Sequence, residues 1–201
     1  TGGAGNDTYF VDNRKDVGRE AAGGGTDIVK SNISYELGNH VEKLTLIGYA
    51  AINGFGNDLA NRLTGNGGDN RLTGRDGNDV LTGEWGDDTL VGGAGGDSLR
   101  GGYGADVFVF HKSSDSTVAF AQRDVIVDFQ SSEGDRISLS AMPHRFDFIG
   151  NEGFSDTAGE LRYEKTATRT VVQADLNGDG RADFAISITG QIDLVEADFI
   201  L

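Results

Sequence analysis

Six oxygen-bearing side chains recur every nine residues in the middle of this chain: Asn61, Asn70, Asp79, Asp88, Asp97 and Asp106. Each follows a stretch that opens on Gly56, Gly65, Gly74, Gly83, Gly92 or Gly101. Each also stands two residues before an apolar residue: Leu63, Leu72, Leu81, Leu90, Leu99 or Phe108. Short carboxylates at fixed spacing among glycine carbonyls make an all-oxygen donor set, which is what hard divalent cations such as calcium take. The chain has no cysteine, so disulfides and thiolate metal sites are both excluded, and a bound metal is the natural substitute source of stability.

The elements that must carry these donors follow from the same period. The glycine-rich half of each nonapeptide has to turn sharply, and a three-residue half such as Val80-Leu81-Thr82 can extend as a short strand, so two units make one coil. Side chains alternate across a strand, which sends the eighth-position Leu or Phe inward and its neighbours toward solvent. Helix is excluded, because one apolar residue in nine cannot build an amphipathic face.

Stacking such coils about 4.8 Å apart sets equivalent aspartates nearly on top of one another. Each like-charged pair then costs roughly 1 kcal/mol in water and about 3 to 4 kcal/mol at an intermediate dielectric. A cation between successive turns reverses that sign. Without it, the narrow apolar core is too small to offset chain entropy, and the array is expected to stay largely disordered.

Composition agrees with this reading. The formal charge is −15, from 32 acidic and 17 basic residues, and the acids are 23 Asp against 9 Glu. A solvated acidic surface usually mixes the two types, so the excess of Asp favours oxygen cages over the alternative, an acidic soluble surface. Such a balance gives no reason to expect a nucleic-acid partner. Gly reaches 32 residues while Pro143 is the single proline, which is not the composition of a linker or of collagen. No apolar run is long enough for a membrane span, and no signal peptide opens the chain. Thr1 is not a start residue, and the chain is expected to be a piece of a longer protein.

The stretch Gly92-Gly93-Ala94-Gly95-Gly96-Asp97-Ser98-Leu99-Arg100 resembles the G-G-x-G-x-D-x-U-x repeat of the RTX, or hemolysin-type, calcium-binding proteins. The resemblance implies an all-β fold: a right-handed parallel β-roll in which calcium sits between the turns of repeats i and i+2. Four such inter-turn sites are implied. Their ligands would be Asp79, Asp88, Asp97 and Asp106, with the carbonyls of Gly74, Asp76, Gly83, Trp85, Gly92, Ala94, Gly101 and Tyr103. Asn61 and Asn70 replace Asp, and Leu59 stands where glycine is expected, so the first two repeats should bind calcium weakly or not at all. Arg75 and Glu84 at second positions are tolerable if only their carbonyls ligate.

Three regions are expected. Residues 1–55 form a roll-like flank that opens on a lone repeat containing Asp7, residues 56–109 form the nonapeptide roll, and residues 110–201 form a β-sandwich-like cap. In the flank, strand-like alternation covers 28–37 and 41–47, and Gly23-Gly24-Gly25-Thr26-Asp27 reads either as a degenerate repeat turn or as an ordinary turn between strands. In the cap, Asp124-Val125-Ile126-Val127-Asp128-Phe129, Gly134-Asp135-Arg136-Ile137-Ser138-Leu139-Ser140 and the ending Asp198-Phe199-Ile200-Leu201 resemble the C-terminal domain of serralysin-type secreted metalloproteases. Asp124 and Asp128 are accordingly further candidate ligands. Strand-like segments cover 125–129, 136–139, 146–149, 170–174 and 184–188.

Asp175, Asn177, Asp179, Gly180 and Asp183 give the opening of an EF-hand loop, but Ile186 stands where its bidentate Glu belongs. They make either a calcium-binding hairpin or a tight Asn-Gly-Asp-Gly turn. Catalytic patterns are missing: His40, His111 and His144 do not form H-E-x-x-H, and Ser113-Ser114-Asp115-Ser116 has no nucleophile elbow. Glu160 and Glu164 read as exposed strand-edge charges.

The functional expectation is a non-catalytic module that folds on binding several calcium ions. By resemblance, it would serve export of a larger secreted, extracellular protein through type I secretion machinery, with the secretion signal toward Leu201. The alternative is a polysaccharide-binding module or adhesin segment, using Trp85, Tyr103, Arg75 and Arg100.

Overall fold

The computed structural model describes residues 2–201, and two sheets wind through nearly all of it. One sheet takes, in spatial order, Thr8–Val11, Ile28–Ser31, Lys43–Leu46, Arg62–Thr64, Val80–Trp85, Ser98–Tyr103, Val125–Ile126 and Phe184–Thr189, all parallel. The other takes Tyr35–Glu36, Gly54–Phe55, Arg71–Asp76, Thr89–Ala94, Val107–Val109, Arg136–Ser138 and Phe199–Ile200, also parallel. The chain alternates between the sheets and returns to the same one eighteen residues later within the array, which is the parallel β-roll expected from a nine-residue period. No helix among the described residues is long and apolar enough to cross a membrane.

The core is the stack of eighth-position residues. Leu63, Leu81 and Leu99 lie in register in one sheet and run on into Ile126 and Ile188. Leu72, Leu90 and Phe108 do the same in the other and run on into Ile137 and Phe199. All six repeat residues are fully buried. The flank of residues 1–55 joins the same core through Val29 and Leu44, in register with Leu63.

The four middle strands of the array are longer than the residue pattern suggests, while Arg62–Thr64 and Val107–Val109 keep three residues. Val80–Trp85 has six residues rather than three, because its glycine-rich half also pairs with the next coil, Glu84 with Gly102 and Trp85 with Tyr103. Past the array the sheets continue rather than stop, and Phe184–Thr189 leads into an antiparallel meander with Arg169–Asp175 and Glu160–Lys165, edged by Asp147–Phe148. Glu160 corrects the reading of an exposed edge charge. It is buried, and its carboxylate accepts the N–H and hydroxyl of Ser155, at 2.7 and 2.5 Å. Glu164 is half exposed and pairs with Arg162.

Candidate metal centre

Winding at this pitch lines the sixth-position residues into two ladders, one at the edge of each sheet. Along the first, the backbone N–H of Asn61 donates to Oδ1 of Asp79, that of Asp79 to Asp97, and that of Asp97 to Asp124, at 2.7, 2.7 and 2.9 Å. Along the second, Asn70 donates to Asp88, Asp88 to Asp106, and Asp106 to Asp135, at 2.7, 2.9 and 3.0 Å. One oxygen of each carboxylate is therefore fixed by the coil before it.

The other oxygen is not. Oδ2 of Asp79, Asp88, Asp97, Asp106 and Asp124 is buried and has no hydrogen-bond partner. A buried carboxylate left half-satisfied costs free energy in proportion to its charge, and it responds by holding its proton. Burial pushes the carboxyls of Asp79, Asp88 and Asp106 up to about 7, with the neighbouring acids adding to it and the backbone N–H opposing. Burial likewise raises Asp97 to about 6, and Asp124, which has Asp97 beside it, to about 9.

At Asp79 and Asp88 the orphaned oxygen shares its space with a carbonyl of the next coil, that of Gly92 and Gly101 respectively. A methyl group on Gly74 would overlap Oδ2 of Asp79 and lie 2.6 Å from the carbonyl oxygen of Gly92, so the first-position glycine leaves room for oxygens from two coils to meet. The second position carries the turn. Gly93 and Gly102 have φ of 107°, and Arg75 and Glu84 are held in the same left-handed region at 90° and 83°. That conformation costs a non-glycine residue about 1–2 kcal/mol. The third-position carbonyls of Ala94 and Tyr103 accept the N–H of Gly77 and Gly86, at 2.9 and 3.0 Å, and each keeps a second lone pair. Orphaned carboxylate oxygens beside clustered carbonyls, with no nitrogen or sulfur donor, fit calcium. Asp79, Asp88, Asp97 and Asp106, with the carbonyls of Gly74, Asp76, Gly83, Trp85, Gly92, Ala94, Gly101 and Tyr103, would hold it.

The first two repeats solve the same problem without charge. Asn61 turns its Nδ2 toward the carbonyl of Val41 at 3.3 Å and Oδ1 of Asn57 at 3.1 Å, and Asn57 donates to the carbonyls of Gly38 and Val41 at 2.8 and 2.9 Å. Asn70 and Asn66 repeat the arrangement in the other sheet, with Nδ2 of Asn70 on the carbonyl of Ile52 at 2.7 Å and on Oδ1 of Asn66 at 3.1 Å. Amide nitrogens here satisfy carbonyls of the coil before, and neither Asn61 nor Asn70 has an orphaned atom.

The remaining candidates are spread more widely. Asp124 caps the first ladder, with its N–H on the Ser116 hydroxyl at 2.9 Å. Asp128 turns back onto the N–H groups of Gly101 and Gly102, at 3.0 and 3.2 Å, and pairs with Arg100. Asp175 and Asp183 stand in the tip of an antiparallel hairpin. Desolvation raises Asp175, but the N–H groups of Gly178, Gly180 and Asn177 outweigh it and hold the carboxyl below its ordinary value. Asp183 accepts from Leu176 and from Asn177, so the loop is closed by its own backbone; Asp179 caps the N–H of Arg181.

Two further ladder members, Asp135 and Asp27, lie outside the six-repeat array. Asp135 ends the second ladder with both oxygens satisfied, by Asp106 and Gln130. Asp27 accepts the N–H of Asp7 at 2.8 Å and gives its own N–H to Glu42 at 2.8 Å, which extends the acid ladder back to the first coil. The signal for both was an Asp directly before a short strand, as in Asp135-Arg136-Ile137. Gly134 and Gly23-Gly24-Gly25 do stand in front of these acids, but neither Asp falls within a full nonapeptide.

Fold and site together define a repeat roll of the kind whose turns stack acidic oxygens coil upon coil. The chain belongs to the peptidase M10 serralysin C-terminal family, whose model matches residues 2–201. Among solved structures it is similar to the AlgE6R3 subunit of the Azotobacter vinelandii mannuronan C5-epimerase. The identity is 30% over 71% of this chain and 78% of that one, with a TM-score of 0.55. The AlgE6R2 subunit of the same organism's epimerase matches at 28% identity over 77% of this chain and 90% of that one, with a TM-score of 0.51. No curated protein sequence matches the chain. The family and these neighbours support a calcium-binding repeat module.

Proposed function

We propose that this chain is a calcium-triggered folding module that travels as part of a larger secreted protein and becomes ordered outside the cell. The observation that carries this reading is the row of buried Asp Oδ2 atoms without partners at residues 79, 88, 97, 106 and 124. At neutral pH each needs a proton or a cation, and the carbonyls around it suit calcium. Where calcium is scarce the roll stays open and can be threaded through type I secretion machinery. At millimolar calcium it closes. Each site at a hundredfold excess over its dissociation constant adds about 2.7 kcal/mol, so several sites make folding steeply calcium-dependent. In this reading the module does no chemistry on a substrate, and the Asp175–Asp183 hairpin is a metal-free turn.

Limited proteolysis with and without calcium tests it. The chain should be cut throughout residues 71–109 in chelator and resist in millimolar calcium, with several ions counted by calorimetry. Equal resistance in both conditions contradicts it.

A second reading has its own observation. Trp85 and Tyr103 stack at 4.5 Å with an interplanar angle of 29°, each about 60% exposed, and Tyr49, 89% exposed, lies over Gly67 at the same third position one coil earlier. An exposed aromatic row along a groove is a face on which sugar rings can stack. The relatives are subunits of a mannuronan epimerase. Titrating the calcium-loaded chain with polymannuronate should change Trp85 emission, and an unchanged emission removes this reading.

A further inference from the structure

The first coil carries a group of acids that the nonapeptide period explains only in part. Asp7 is the sixth residue of the lone opening repeat and Asp27 stacks on it, whereas Glu20 belongs to no repeat. Residues 12–27, between the strands Thr8–Val11 and Ile28–Ser31, contain no strand, and they fold back so that Glu20 meets the start of the acid ladder. Asp7, Glu20 and Asp27 bring one carboxylate oxygen each to within 4.8 Å of one another. Three negative charges at that distance repel strongly unless a cation lies among them. Among the described residues, no Lys or Arg pairs with any of the three.

Their hydrogen bonding is incomplete in the same way as in the array. Asp27 is fully buried, and its Oδ1 accepts the Asp7 N–H while its Oδ2 has no partner. Glu20 accepts from the Tyr9 hydroxyl and the Gly2 N–H through Oε1, and its Oε2 is likewise buried and unpartnered, as is Oδ2 of Asp7. Carbonyls complete the surroundings. The point where a methyl on Gly24 would lie is 3.0 Å from the carbonyl oxygen of Gly3, 3.2 Å from that of Ala21 and 3.2 Å from Oε2 of Glu20.

We propose that Asp7, Glu20 and Asp27 form a separate divalent-cation site at the start of the roll, with the carbonyls of Gly3 and Ala21 as neighbouring oxygens. The donors are all oxygen and irregularly disposed, which favours calcium over magnesium with its strict octahedron. This differs from the array in kind. There, the acids of one site come from the same repeat position one coil apart; here, a third carboxylate comes from a strandless loop. The ion ties residues 12–27 to the first coil, where sheet pairing does not hold them. The amide-satisfied coils at Asn61 and Asn70 separate this site from the array, so the two load independently. The choice of calcium rests on the proposed function; the geometry of the site does not.

Calcium calorimetry on the whole chain, with far-ultraviolet circular dichroism alongside, tests the site. Glu20→Gln and Asp27→Asn should each bind one ion fewer than the parent, with the calcium-induced gain of β-structure in the array preserved. The double variant should lose that same one ion and no more. Glu20→Gln keeps the size of the side chain and its Oε1 acceptor, so an unchanged dichroism response shows that the loss is not unfolding. A full ion count in Glu20→Gln overturns the proposal, and so does a double variant that loses one ion more than either single one. Asp97→Asn serves as the array control: if it alone keeps the full count, the array reading fails while the first-coil site stands.

Discussion

The backbone N–H of Asp79 donates to Oδ1 of Asp97, eighteen residues later and one coil further on, at 2.7 Å. That bond fixes how the two acids stack and leaves Oδ2 of both without a hydrogen. Order in the coils and a demand for cations are thus two sides of one geometry.

The first prediction concerns acid. In the metal-free roll Asp79, Asp88 and Asp106 sit at about 7 and Asp97 at about 6, above the ordinary carboxylate value near 4. Between about pH 4 and pH 7 the folded state therefore holds more protons than the unfolded one, and its stability falls as pH rises through that window. Calcium-free chain should show more β-structure at pH 4.5 than at pH 7.5 by circular dichroism. Calcium competes with the same protons, so its affinity should climb from pH 5 to pH 8. Metal-free stability that rises with pH contradicts the burial of these carboxyls.

A second prediction uses the amide pairs. Asn57 with Asn61 satisfies a coil without an ion, so the substitutions Arg75→Asn and Asp79→Asn together should transplant the device one coil onward. Asn also tolerates the left-handed backbone at position 75 better than Arg does. Each new hydrogen bond contributes about 1 kcal/mol. The variant should bind fewer calcium ions and melt higher in chelator than the parent, read by calorimetry and thermal dichroism.

For the third, a methyl on Gly74 must displace Asp79 Oδ2 or the Gly92 carbonyl. Gly74→Ala should lose at least one ion from the calorimetric count. Gly153→Ala, where nothing lies within 4 Å, should bind as the parent does.

The fourth separates core from cage. Leu81 is fully buried between Leu63 and Leu99, and truncation of such a residue costs about 2–5 kcal/mol. Leu81→Ala should lower the melting temperature in saturating calcium while leaving the number of ions unchanged.

Much of this was legible in the residues because a nine-residue period couples fold and site. Once Leu81 must point inward, Asp79 has to stand at the sheet edge over Asp97. The Asn repeats were legible as departures, but their remedy was not, since the carbonyls that Asn61 and Asn70 satisfy belong to Val41 and Ile52 in coils without the motif. Glu20 and Asp135 were hidden for the same reason: a ladder contact depends on where an irregular loop returns, and no local spacing encodes that. At the strand Glu160–Lys165 the charges hid the burial and not the strand, because burial of Glu160 depends on Ser155 folding back over it.

Amide hydrogen exchange at Asp79, Asp88, Asp97 and Asp106 tests the central claim most directly, because each of these N–H groups donates to the next rung of a ladder. The account predicts strong protection at all four in millimolar calcium and its collapse in chelator at neutral pH. Protection in chelator equal to that in calcium would show that the ladders stand without ions, and would contradict it.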